Sequence, residues 1–254
     1  MIDERVLLGF PIDFKDVCQV YPPTVNDVIG NKDFGIYQSL FTITQEELDR
    51  AFLQDGQVVQ IPTPFQYLLV NYYQDENIRQ KIHEAFNYFV HEPVTIVPEI
   101  EMLLIGKSED ELDPNIDLEN PRLLTAENYF EFQNTIRRSM GLDPEKPSSL
   151  EEENLDPRVK RWKMKVQKYH EVIAKKKSKT TPTLGTLLTA ICCMGIGLNP
   201  LNIGEISYAC VQWLIAMEQQ KEEYDIDIQA LLAGADSKKV KPKYWIKNID
   251  EKEK

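Results

Sequence analysis

Side chains that do chemistry are scarce in this chain of 254 residues. Its three histidines, at 83, 91 and 170, have no partner four residues on and no acid at metal-ligand spacing. Its four cysteines, Cys18, Cys192, Cys193 and Cys210, lie in apolar surroundings. The adjacent pair suits neither a CxxC knuckle nor an ordinary disulfide, so buried free thiols in a reducing compartment are expected. No serine stands in a nucleophile-elbow context, and no cysteine has a histidine within reach by motif. A non-enzymatic protein without metal or cofactor is expected. A targeting leader is also not expected. The opening "MIDERVLLGFPIDF" has acids where a secretory signal carries Lys or Arg, and Pro11 cuts its apolar run short. Thr180 to Gly204 carries no charge, yet its continuous apolar part, "LGTLLTAICCMGIGL", is 15 residues long. A membrane span needs ~20, so a buried helix is expected instead.

What is present belongs to a globular protein: 42% hydrophobic and 28% charged residues, in a chain long enough for one large domain or two ordinary ones. A net charge of −12 would repel duplex nucleic acid from most of the surface, so none is expected as a partner. "GIGLNP" at 195–200 resembles a phosphate loop, but it follows a helix and no Gly-Lys-Ser/Thr comes after it. Glu205 lies three residues after Asn202 and reads as half of a helix cap. Glu99 and Glu101 would share one face of a strand with no histidine or lysine to use them, which suits a solvated edge.

The pattern along the chain is mainly α with a minor β component (α+β), ending in a helical C-terminal region. Residues 6–23 contain short β-type runs broken by Gly, Pro and Asp, and predict a strand or small hairpin. Val25, Val28 and Ile29 mark one helical turn, "FGIYQSLF" another, and the Thr44/Glu47 capping box opens a helix through Phe52. "TPFQYLLVNYYQD" and "ENIRQKIHEAFNYFV" follow as helices, the second with Ile78, Ile82, Phe86 and Phe89 at helical spacing. "PVTIVPEIEMLLIGK" predicts one or two strands. "TAENYFEFQNTIRRSMG" predicts a helix capped by Thr125 and ended by Gly141. Three regions result: 1–142, N-terminal and α/β; 143–156, an acidic linker; and 157–254, helical, with a polar tail. In the last, "TLGTLLTAICCMGIGL" and "EISYACVQWLIAM" are expected to pair as a hairpin that buries Trp213. Asn202 and Glu205 would cap the second helix, and "DIDIQALLAGA" would form a separate short helix closed by Gly234.

One segment contradicts the charge balance. From Arg158 to Lys179 ten Lys or Arg face one acid, a charge of +9, which leaves −21 for the rest of the chain. Asp156-Pro157 is a strong helix start. Val159, Trp162, Val166, Tyr169 and Ile173 are then spaced 3, 4, 3, 4, a narrow seam of heptad type. Two readings stand. The segment is a solvated face offset in cis by the linker glutamates, or it is a docking helix for an acidic or helical partner. In the second reading Trp162, Val166, Tyr169 and Ile173 form the apolar centre. Lys163, Lys165, Lys168 and Lys175 form the rim. Tyr244 and Trp245 add an aromatic contact from the tail.

Four stretches together resemble proteins of the tail-gene region of tailed bacteriophages: "YPPTVNDVIGNKDFGIYQSLFTITQEEL", "LLTAENYFEFQNTIRRSMGL", "CCMGIGLNPLNIGEISYACVQWL" and "YDIDIQALLAGADSKKVKPKYWIK". In order and spacing they are similar to a tail assembly chaperone. That resemblance implies a largely helical, non-enzymatic protein of the host cytoplasm. It would coat the aggregation-prone tape-measure protein while tail-tube subunits polymerise around it, so the tape-measure protein is the expected partner, with the tube protein and self-association as further contacts. No catalytic residues carry over. The length of the chain and the β-type segment at 94–105 depart from the compact helical chaperones. A structural tail or baseplate component and a host-directed binding protein are the alternatives.

Overall fold

The computed structural model describes residues 4–52, 61–97, 102–108, 122–145, 183–236 and 240–244. In chain order the elements are α1 (Glu4–Leu7), β1 (Ile12–Phe14), β2 (Cys18–Val20), α2 (Val25–Gly30), α3 (Phe34–Thr42) and α4 (Gln45–Phe52). Then come α5 (Pro64–Gln74), α6 (Glu76–Phe89), β3 (Val94–Val97), β4 (Met102–Ile105), β5 (Leu123–Leu124) and α7 (Tyr129–Ser139). After these come α8 (Leu184–Cys193), a 3-10 turn (Ile203–Glu205) and α9 (Tyr208–Leu232). The class is α+β, mainly helical, as expected.

The chain divides into two compact units, Met1–Pro144 with Leu201–Lys254, and Glu145–Pro200. The sequence reading keeps everything after 157 together; in the structure the chain from Leu201 belongs with the N-terminal residues. The two helices expected to pair as a hairpin therefore belong to different units. The linker beyond Glu145 lies outside the described residues.

The first unit is built around aromatic rings. The expected early hairpin is β1 paired antiparallel with β2, with Ile12, Phe14, Cys18 and Val20 inward and Asp13 and Gln19 outward. Its turn uses Lys15 at φ 49. Phe14 meets Phe132 of α7 at 5.5 Å, and Phe132 lies parallel to Phe86 of α6 at 5.8 Å. Phe41 of α3 stands edge-on to Phe86, Phe89 and Phe132 at 4.9, 5.9 and 5.7 Å. Edge-to-face contacts of this kind add to what burial alone contributes. Three capping boxes set the helix starts: Thr24 with Asp27, Thr44 with Glu47, and Thr63 with Gln66. In each, the threonine hydroxyl accepts the third amide and the third side chain returns to the threonine amide.

The second sheet runs β3-β4-β5, all antiparallel, with Val94 opposite Ile105 and Leu103 opposite Leu124. Val94, Thr95, Ile96, Leu103, Leu104 and Ile105 are all buried. Both faces of these stretches are thus covered, in keeping with the apolar residues that succeed one another in "MLLI". The Thr95 hydroxyl donates to the Lys107 carbonyl at 2.8 Å, satisfying a buried polar group. Glu99 and Glu101 lie outside the described residues.

Several local expectations are corrected. Helix α7 starts at Tyr129, with Asn128 as its cap residue, and Thr125 belongs to the preceding turn: its amide donates to Asn128 Oδ1 at 2.8 Å. Gly141 does end it, at φ 75. The cap of α9 is Ser207 rather than Asn202 with Glu205, which belong to the 3-10 turn. No break separates "DIDIQALL" from the helix before it; α9 is one helix of 25 residues. Of the cysteines only Cys18 is buried, Cys192 and Cys210 are half-buried, and Cys193 is exposed. In the second unit, α8 is capped by Thr183 and buries Leu188 and Ile191.

Candidate partner-binding surface

Two of the three histidines contact aromatic rings. His83 Nε2 lies 3.0 Å from the Tyr72 hydroxyl, and His91 stacks on Tyr21 at 4.1 Å. His170 lies outside the described residues. A shallow cavity of about 360 Å³ beside the hairpin is lined by Lys15, Cys18, Glu92 and Arg122 among others. Most of its charges are paired: Arg122 with Glu92, Lys15 with Glu131 and Asp13 with Arg5. Burial pushes the Cys18 thiol up to about 12, with Glu92 adding and Arg122 opposing, so it has little nucleophilic character. Among the described residues no group of three or more His, Cys, Asp or Glu could hold a metal ion.

The sequence-predicted surface is only partly within view. Trp162, Lys163, Lys165, Val166, Lys168, Tyr169, Ile173, Lys175 and Trp245 lie outside the described residues. Tyr244 is described, more than half exposed at 54%, with its ring edge-on to Tyr224 of α9 at 5.8 Å. Gly234, at φ 94, closes α9, and the Val240 amide donates to the Asp236 carbonyl at 3.0 Å. The tail thus comes back to the helix it left.

The continuity of helix α9 and the seam along it are what the sequence reading missed. Its first turn is anchored: Ala209 packs with Val6 and Ile12, and the Tyr208 ring stands edge-on to Phe34 at 5.9 Å. The Tyr208 amide donates to the Pro23 carbonyl at 2.8 Å. Beyond that turn none of its residues is fully buried, Trp213 included; Ala209 and Val211 are the buried ones. Cys210, Leu214, Met217, Lys221, Tyr224, Ile228 and Leu231 are spaced 4, 3, 4, 3, 4, 3, and each is half-buried. That is a heptad seam of three repeats, interrupted by one lysine. Ile226 and Leu232 stand further out, 63% and 83% exposed. Five carboxylates, Glu218, Glu222, Glu223, Asp225 and Asp227, accompany the single Lys221, which lies 3.6 Å from Glu218. The signal was available: no Gly or Pro interrupts the chain from 205 to 233, and the seam spacing runs through "DIDI".

Residues 175–250 match a family model described as the YomV second domain, a phage-associated family. The matched stretch contains α8, α9 and the returning tail. No curated protein and no solved structure matches the chain. The match covers less than a third of the chain and suggests a phage protein. Among the described residues, no helix is long and apolar enough to cross a membrane.

Proposed function

We propose that the chain is a non-enzymatic tail assembly chaperone that acts in the host cytoplasm and binds the tape-measure protein during tail morphogenesis. One observation carries this reading: α9 buries only Ala209 and Val211 of its 25 residues. It offers a long seam of half-covered apolar side chains that its own unit does not consume. A tape-measure protein is mostly long amphipathic helix, whose apolar stripe needs cover until the tube surrounds it. Helix-on-helix contact supplies that cover without any chemistry. The phage-associated family match and the resemblance of four sequence stretches to tail-region proteins support the setting.

Co-expression with the tape-measure and tube proteins of the same phage tests it. The tape-measure protein should become soluble and co-purify, and the chaperone should be absent from purified virions. A fixed copy number in virions would instead make the chain a structural tail component. If the basic segment 158–179 also holds the client, replacing Trp162 and Tyr169 with Ala should weaken capture. It should do so more than replacing Lys163, Lys165, Lys168 and Lys175 with Glu, because buried aromatics anchor interfaces while rim charges set rate and salt dependence.

A further inference from the structure

We propose that the distal part of α9, from Met217 to Leu232, is a docking face for a basic amphipathic helix. The seam supplies the apolar centre through Met217, Tyr224, Ile228 and Leu231, all half-buried. The flanks supply the charge. Counted on the seam's heptad, Asp225 follows Tyr224 on one side and Asp227 precedes Ile228 on the other, so carboxylates border the apolar stripe along both edges. Of the five carboxylates only Glu218 forms an ion pair with a described residue. The charge complement of such a stripe is a helix with Lys or Arg beside its own apolar seam. A second copy of α9 fits poorly, because it would bring two acidic helices together, and nucleic acid would be repelled.

The tail shows what the centre of the face accepts. Tyr244 lays its ring edge on Tyr224, and it arrives on a segment with Lys241 and Lys243 on either side of Pro242. An aromatic carried among lysines already occupies part of the stripe. A partner with the same chemistry on a longer helix would displace it.

The proposal deepens the chaperone reading and rests on it only for the identity of the client. The probe is therefore a synthetic three-heptad peptide with Leu and Trp on the seam and Lys at the flanks. Its control carries Glu in place of every Lys. Binding to the full chain is followed by fluorescence anisotropy. The basic peptide should bind, and the acidic one should not. Raising the salt toward ~0.5 M should weaken binding. Asp225→Asn with Asp227→Asn, a surface change that leaves the fold intact by circular dichroism, should reduce that salt dependence. Tyr224→Ala with Ile228→Ala should weaken binding at least ~10-fold, and Tyr244→Ala should strengthen it. Equal binding of both peptides, or no effect of either α9 double variant, would overturn the proposal. So would a change of oligomeric state in Tyr224→Ala with Ile228→Ala, which would make the face a self-interface. Peptide binding without capture of the tape-measure protein would sink the chaperone reading and keep the surface. Capture without peptide binding would do the reverse.

Discussion

The Ser207 hydroxyl donates to the Leu7 carbonyl at 3.0 Å and accepts from the Cys210 amide at 3.1 Å. One buried side chain therefore starts α9 and ties it to the end of α1, 200 positions earlier. Loss of a helix cap costs ~0.5–2 kcal/mol, and leaving the half-buried Leu7 carbonyl without its donor adds up to ~1–3 kcal/mol. Ser207→Ala should lower stability by about 2–3 kcal/mol in urea unfolding, near the sum of their central values, and Ser207→Thr, which keeps the hydroxyl, should recover most of it. A loss below ~0.5 kcal/mol for the alanine variant, the range of an ordinary surface change, would mean that the cap is replaceable.

Gly141 is required twice over. It ends α7 at φ 75, and a Cβ there would come within 2.9 Å of the Ala209 Cα, a backbone atom that cannot move aside without shifting α9. Left-handed backbone costs a non-glycine residue about 1–2 kcal/mol, and the overlap adds to that. Asparagine separates the two causes, since it tolerates the left-handed region but still carries a Cβ. Gly141→Asn should recover only part of what Gly141→Ala loses and stay well below the native chain. Full recovery with asparagine would show that φ alone matters, and that α7 and α9 are not pressed together there.

Local signals were legible in the sequence; long-range ones were not. The Thr44/Glu47 box, the early hairpin and the two β-type runs near 94–105 are written within a few residues of themselves, and they form as read. Thr125 misled because it heads a turn that looks like a helix start. Its carbonyl accepts from the Asn128 and Tyr129 amides and its own amide donates to Asn128 Oδ1, yet the regular helix begins only at Tyr129. Trp213 reads as core because it sits in an apolar run, but burial depends on what α9 packs against. After its first turn no residue of that helix is fully buried. Nothing periodic in the sequence announces that Val25 will donate to the Ile206 carbonyl at 3.0 Å. The seam of α9 is legible too, though Asp225 and Asp227 mask its continuity.

A polar cluster between α3 and α6 makes stability depend on acid. The Tyr37 hydroxyl donates to Glu84 at 2.7 Å, and Lys81 reaches both Glu84 and Asp33 at 2.8 Å. The Lys81 hydrogen bond, helped by Tyr37 and Gln80, holds the Glu84 carboxyl below its ordinary value. A carboxyl whose folded pKa is depressed contributes stability above its unfolded pKa and loses it as pH falls through the folded one. The urea midpoint of the native chain should therefore hold near neutrality and decline below the ordinary carboxylate range, near pH 4.5. Glu84→Gln should start lower at pH 7 and decline less steeply. Parallel curves for the two proteins would remove Glu84 from the acid response.

The thiols should separate by place in the fold. Cys193 is exposed, whereas Cys18 is buried in β2 with its thiol pushed up to about 12. At pH 8 very little Cys18 would be thiolate, and its side chain is buried in the hairpin, where it pairs with Phe14. Iodoacetamide labelling of the native chain, read by peptide mass spectrometry, should modify Cys193 first, Cys192 and Cys210 more slowly, and Cys18 only on unfolding. Added urea should release Cys18 together with the loss of the aromatic core, because β1 and β2 hold it against α7. Labelling of Cys18 well before that transition would show that the hairpin opens by itself. The cavity beside Arg122 would then be the mouth of a path to the core rather than a shallow surface feature.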